Sequence, residues 1–145
     1  MKTSQQGLDL LIAREGKRND AYLDSVGVPT IGVGHTGPEV HLGLHWTDDQ
    51  VADALRADLD RFEDAINSSV TVGLEPYRFD ALVSFSFNIG VNAFTSSTML
   101  KQINRGQFEM AALQFDRWRI PPEITRRRSA EREQFAGRHF VAQYS

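Results

Sequence analysis

The sequence predicts an α+β fold in which a small N-terminal lobe with antiparallel β-hairpins is joined by one long helix to a larger helical C-terminal lobe. Three observations carry that reading. The short apolar run Ala21-Tyr22-Leu23 and the alternating stretch Val28 to Val33 flank the polar turn Asp24-Ser25-Val26-Gly27, as the two arms of a hairpin do. Thr47-Asp48-Asp49-Gln50 is a capping-box signature, and it opens a long amphipathic pattern. From Pro76 onward, successive apolar patterns have helical spacing.

Each element has its own local reason. Leu8, Leu11 and Ile12 recur at i, i+3 and i+4, which makes the first helix amphipathic and sets Glu15, at i+7, on the same apolar stripe. The hairpin follows. In the long helix the stripe is Val51, Leu55, Leu59, Phe62 and Ile66, with acids and arginines opposite, and Asn67-Ser68-Ser69 ends it. Pro76 fits the first turn of a third helix, whose Phe79, Ala81, Leu82, Val83, Phe85, Phe87 and Ile89 leave almost no polar face before Gly90 caps it. An apolar surface all round places that helix at the centre of the core. Thr95-Ser96-Ser97 can cap a fourth helix carrying Met99, Leu100 and Ile103 and stopped by Gly106, and a fifth runs from Phe108 to Trp118. Pro121-Pro122 breaks the pattern, and a basic helix from about Ile124 to Phe135 leads to Phe140 and Tyr144.

With 145 residues, the chain is expected to form one domain, 1–145, of two lobes with a cleft between them. Hydrophobic and charged contents of 41% and 24% are ordinary for a soluble globular protein. No cysteine is present, which excludes disulfides and thiolate metal sites. The segment Met1 to Gly7 lacks the apolar core of a signal peptide, and no stretch approaches ~20 apolar residues, so neither export by a signal nor membrane insertion is expected. A formal net charge of −3 argues against a general polyanion binder.

Two carboxylates in the run from Glu15 to Thr30 are expected in opposite environments. On a buried stripe, Glu15 would hold its proton by desolvation and serve as a general acid. Asp24, in a polar turn, would stay solvated and ionised. Such a divided pair is the usual equipment for breaking a glycosidic bond.

With these residues in view, the chain resembles the bacteriophage lysozymes, endolysins that cleave peptidoglycan when progeny are released. The family pattern is Glu, eight residues, Asp or Cys, five residues, Thr, and Glu15, Asp24 and Thr30 match it. Similar surroundings continue through Thr30-Ile-Gly-Val-Gly-His35-Thr, Phe85-Ser-Phe-Asn-Ile-Gly90, Phe94-Thr-Ser-Ser-Thr-Met-Leu100, Phe115-Asp-Arg-Trp118 and Arg126-Arg-Arg-Ser-Ala-Glu-Arg132. The resemblance implies a lysozyme-like fold. It also implies Glu15 as the acid that protonates the glycosidic oxygen, Asp24 as the ionised group on the opposite face and Thr30 as a hydroxyl that positions water. The bond would be the β-1,4 linkage between N-acetylmuramic acid and N-acetylglucosamine. Asn88, Thr36 and Ser97 would line the sugar cleft, and one of Arg126, Arg127 or Arg128 would approach Glu15. By the same resemblance the partner is cell-wall peptidoglycan, no cofactor is needed, the protein is a monomer, and it waits in the host cytoplasm for a separate membrane-disrupting protein. The chain departs from the family in being mildly acidic where many members are basic, and in carrying Arg119-Ile-Pro-Pro-Glu-Ile124 where many have a glycine-containing loop.

Two other readings compete. His35, His41 and His45 invite a zinc amidase, but Gly43 interrupts them, the His-Glu-x-x-His motif is missing, and His35 reads better as a structural histidine bonded to a carboxylate. The basic stretch Arg126 to Arg138 invites nucleic acid. Its arginines alternate with Glu131 and Glu133, however, as on a solvated amphipathic helix, so no nucleic-acid partner is expected.

Overall fold

A computed structural model describes residues 1–138, and the expectations for Phe140 and Tyr144 lie outside them. The element order is helix α1 (Gln5–Glu15), strands β1 (Arg18–Leu23) and β2 (Pro29–Gly32), then helices α2 (Asp48–Ser69), α3 (Pro76–Ile89), α4 (Val91–Thr95), α5 (Thr98–Asn104), α6 (Phe108–Gln114) and α7 (Thr125–Phe135). Single 3-10 turns at Phe115–Arg117 and Pro122–Ile124 flank the loop before α7. The sheet is one antiparallel hairpin, with Tyr22 opposite Thr30, Leu23 opposite Pro29 and Arg18 opposite Gly32. The register shifts between Arg18 and Tyr22, so β1 carries a bulge. Isolated bridges tie Asp20 to His45 and Ile31 to His35, which fastens the long loop after β2 back onto the hairpin.

Local chemistry starts and stops the helices much as the sequence predicts. Ser4 caps α1 by accepting from the Gly7 amide, and the Thr47/Gln50 capping box is fully formed at the head of α2. In α3 every residue from Phe79 to Ser86 is buried, as the all-round apolar pattern requires. Two segments differ from expectation. The helix expected from Phe108 to Trp118, α6, stops at Gln114 and tightens into a 3-10 turn, so Phe115 drops into the core and packs edge-on against Phe85. Between α3 and α5 lies α4, a single turn too short to carry a periodic signal.

One hydrophobic cluster draws on α1, α2, α3 and every helix after them, and Leu8 and Leu11 are the α1 side chains in it. Those two are at most 1% exposed, and burying each contributes about 1.5–3 kcal/mol, against about 1 kcal/mol for a hydrogen bond such as the Ser4 cap. Apolar docking therefore fixes where α1 sits against the core. Gly7 allows the close approach to α3, since a Cβ there would stand 2.4 Å from Asp80 Cγ.

Candidate active site

Glu15 is the last residue of α1 because Gly16 leaves the helix with φ 77° and ψ 161°, a conformation essentially restricted to glycine. The Gly16 amide still donates to Ile12 O at 2.7 Å, so the helix is closed and the Glu15 side chain is thrown clear of it. This corrects the expected burial. Leu8 and Leu11 are buried, but the Glu15 side chain keeps 26% exposure and meets a guanidinium rather than an apolar wall, with Arg127 Nη1 donating to Glu15 Oε1 at 2.5 Å. Of the three adjacent candidates, Arg127 is the arginine that reaches Glu15.

Two cavities meet at Glu15. The larger, about 500 Å³, is lined also by His35, Thr36, Asp58, Arg61, Phe87 and Asn88. The smaller, about 220 Å³, is lined also by Lys17, Arg18 and Tyr22, and Gly34 borders both. Apolar rings beside converging polar groups are the make-up of a small-ligand site, and the larger cavity has the volume for one. Of the three residues expected to line a sugar cleft, Thr36 and Asn88 border this larger cavity. Ser97 does not: it is 7% exposed and caps α5, accepting from Leu100 N at 3.1 Å and donating to Phe94 O at 2.6 Å. That hydroxyl is used on both sides, so Ser97 is a helix cap and lines neither cavity.

Asp24 and Thr30 lie on the hairpin and line neither cavity. Asp24 folds the turn, its Oδ1 accepting from Val26 N at 2.9 Å and Val28 N at 2.8 Å. Thr30 is 4% exposed and donates to Val28 O at 2.9 Å. The Asp24 carboxylate and the Thr30 hydroxyl therefore share Val28 as an anchor. The structure brings these two together on one hairpin, Asp24 in its turn and Thr30 in β2, and brings Glu15 together with Asn88 and Thr36 along one cavity.

Behind the larger cavity lies an ionic cluster that the sequence reading misses. Arg127, Arg128 and Glu131 are 4%, 1% and 0% exposed, so this face of α7 is buried against α3 rather than solvated. Arg127 donates from Nε to Glu131 Oε2 at 3.1 Å and from Nη2 to Ser84 O at 2.8 Å. Arg128 donates to Glu131 Oε1 at 2.5 Å, to Trp118 O at 2.9 Å and to Asn88 Oδ1. Burial alone would push the Arg127 guanidinium down, but Glu131 and Glu15 outweigh it and hold the group above its usual value. The signal for this cluster in the sequence is spacing, since a carboxylate at i+3 and i+4 from two adjacent arginines can meet both on one helix face.

His35 behaves as the sequence predicts of a structural histidine. Its Nδ1 is 2.7 Å from Asp58 Oδ2 on α2 and its Nε2 is 2.7 Å from Glu39 Oε1. Desolvation pulls its pKa down, but the two carboxylates prevail and raise it. Among the described residues, no group of three or more His, Cys, Asp and Glu is placed to hold a metal ion.

Residues 13–131 match the family model described as phage lysozyme, a span that opens just before Glu15 and closes on Glu131. The chain belongs to the phage lysozyme family. It is 42% identical over 143 residues to an endolysin of Salmonella phage P22, covering 93% of this chain and 98% of that protein. The solved structure of a point mutant of P22 lysozyme superposes with a TM-score of 0.90 at 41% identity, covering 94% of this chain and 99% of the other. The muramidase domain of SpmX from Asticaccaulis excentricus gives 0.85 at 35% identity over 92% and 97% of the two chains. Membership makes this phage lysozyme a glycoside hydrolase that lyses peptidoglycan. No helix among the described residues is long and apolar enough to cross a membrane.

Proposed function

We propose that the chain hydrolyses the β-1,4 bond between N-acetylmuramic acid and N-acetylglucosamine, with Glu15 as general acid and Asp24 and Thr30 holding the attacking water. The observation that carries this reading is that Glu15 belongs to both cavities. A glycan long enough to occupy the two passes over its carboxyl group, so the bond above Glu15 is the one that receives its proton. In the reaction the bond from the anomeric carbon to the glycosidic oxygen breaks as that oxygen takes the Glu15 proton. A water adds to the anomeric carbon from the other face and gives its proton to Asp24, and exchange with solvent restores both groups.

Asp24 suits that part because Oδ1 is fixed by two amides while Oδ2 accepts no hydrogen bond from the described residues. Thr30 Oγ1 spends its proton on Val28 O and keeps lone pairs with which to orient a water. Asn88 and Thr36 offer polar contacts to the sugars, and Phe62 and Phe87 an apolar floor. The muramidase description of one structural relative supports the choice of bond.

Mass analysis of fragments from digested cell wall tests the assignment: muramic acid at the new reducing end is the expected product, and glucosamine there would overturn it. In the cell, this reading has the enzyme act as a monomer from the host cytoplasm, reaching the wall once a separate protein has opened the membrane. Expression alone should then leave cells intact until a permeabilising agent is added, and spontaneous lysis would contradict the dependence.

A further inference from the structure

We propose that Glu131 is a positioning residue for the reaction: one buried carboxylate aims Arg127 at Glu15 and Arg128 at Asn88, so it sets both the charge at the acid and the orientation of the amide beside the sugar. The proposal rests on the assignment of Glu15 as the general acid.

Glu131 divides its two oxygens between two arginines. Oε1 accepts from Arg128 Nη1 at 2.5 Å, and Oε2 accepts from Arg127 Nε at 3.1 Å and from Ser84 Oγ at 2.6 Å. With no exposure, the carboxylate has no water to turn toward. Each arginine, held at one edge by Glu131, presents another edge to the cavity wall: Arg127 Nη1 to Glu15, and Arg128 Nη2 to Asn88 Oδ1. Backbone carbonyls of Ser84 and Trp118 fix the rotation of each guanidinium.

A purely structural account explains less. Buried ion pairs seldom stabilise a fold more than well-packed apolar side chains of similar volume, so holding α7 on α3 does not require three buried charges. It also does not require them to end at the two cavity-lining side chains. The order Glu15, Arg127, Glu131, Arg128, Asn88 alternates sign from the acid to the amide, and Glu131 is its midpoint. Other charged or titratable groups face Glu15 across the cavities: Lys17, Arg18 and Tyr22 on the β1 side, His35 after β2, and Asp58 and Arg61 from α2. Among the described residues, Arg127 alone forms an ion pair with it.

The test is the pH profile of kcat on a soluble glycan fragment. Loss of a general acid appears as the high-pH limb, where the group gives up its proton. Glu131→Gln keeps shape but removes a negative charge, which leaves Arg127 less compensated and disfavours a proton on Glu15; the limb should move down by about one pH unit. Arg128→Met leaves Glu131 to Arg127 alone, so the limb should move up, and with Asn88 unanchored KM should rise several-fold. Glu63→Gln, at a buried carboxylate bonded to Thr3 and Lys2 and to no member of this cluster, should lower stability and leave the limb in place. A folded Glu131→Gln with the wild-type limb overturns the proposal. Should that variant not fold, Arg128→Met decides alone, and an unmoved limb with unchanged KM sinks the idea. Glu15→Gln run alongside separates the two failures, because activity retained there rejects the acid assignment itself rather than the part played by Glu131.

Discussion

Arg127 donates to Glu15 at 2.5 Å across 112 residues of sequence. The contact joins the end of the first helix to the third residue of the last, so the position of the acid depends on how α7 packs against α3. Arg127 is 5% exposed at its side chain and Glu15 26%, which separates this pair from surface ion pairs of negligible worth.

Replacing Glu15 by Gln should abolish lysis and leave the fold intact. The amide keeps shape and hydrogen bonding but carries no proton that it can donate at neutral pH, and general-acid help is worth about 10² to 10⁴ in rate. Circular dichroism and a turbidity assay on the purified variant check both halves, and more than a tenth of wild-type activity would reject the assignment.

Arg127→Lys should lose stability although it keeps the charge. The guanidinium spends separate nitrogens on Glu131, Glu15 and Ser84 O in one fixed fork, and a single ammonium cannot span all three. Leaving one or two buried partners unmet costs about 1–3 kcal/mol each. Denaturant unfolding measures it, and an unchanged midpoint would show that the fork geometry is dispensable.

Much of this is legible in the sequence, and the gaps have physical causes. Helix starts are written locally, in Ser and Thr caps and in Pro76, and α2 and α3 declare their burial by periodicity. The hairpin is equally local. A helical wheel misplaces Glu15 because it continues the apolar stripe to i+7, while Gly16 ends the helix one residue later and the side chain escapes the core. Ser97 carries the same residue type for a cap as for a sugar contact, and only its neighbours distinguish them. Glu131 reads as solvated because charge on a helix normally is. Its burial follows from what α3 presents to α7, which the local sequence of α7 does not encode.

Gly16→Ala should cost about 1–3 kcal/mol, the scale of forcing a side chain into a glycine-only backbone region. A Cβ at Gly16 would have nothing within 4 Å, so the penalty is backbone strain alone. Relief of that strain would swing Glu15 away from Arg127, and activity should fall further than stability. Wild-type Tm and rate together would show that the φ of 77° is not needed.

His35 makes stability pH-dependent in a defined direction. Its folded pKa is raised, so its contribution is fully present below the unfolded value of about 6.5 and is lost as pH rises through the folded one. Wild type should therefore lose Tm over the interval above about pH 6.5, where the raised folded pKa of His35 lies. His35→Gln should be less stable at the acidic end and nearly flat over that interval. A variant as steep as wild type would place the titration elsewhere.

On the proposed mechanism the stereochemistry of the product turns on Asp24 and Thr30. Both are anchored through Val28, the carboxylate on its amide and the hydroxyl on its carbonyl, which ties the Asp24 carboxylate and the Thr30 hydroxyl to one residue of the hairpin. A carboxylate that attacked the sugar itself would stand ~5 Å from the acid and need no hydroxyl partner, whereas an inverting pair stands roughly 6.5–9.5 Å apart to admit a water. The hydroxyl argues for the water. The β-linked glycan should then give an α-configured reducing end, and Asp24→Asn should lose most activity. Thr30→Ser keeps the oxygen and the bond to Val28 O, so it should retain more activity than Thr30→Ala, which loses both. Proton NMR of fresh product, recorded before the anomers equilibrate, decides between the mechanisms: a β-anomer appearing first would make Asp24 a nucleophile and leave Thr30 as no more than a brace for the turn.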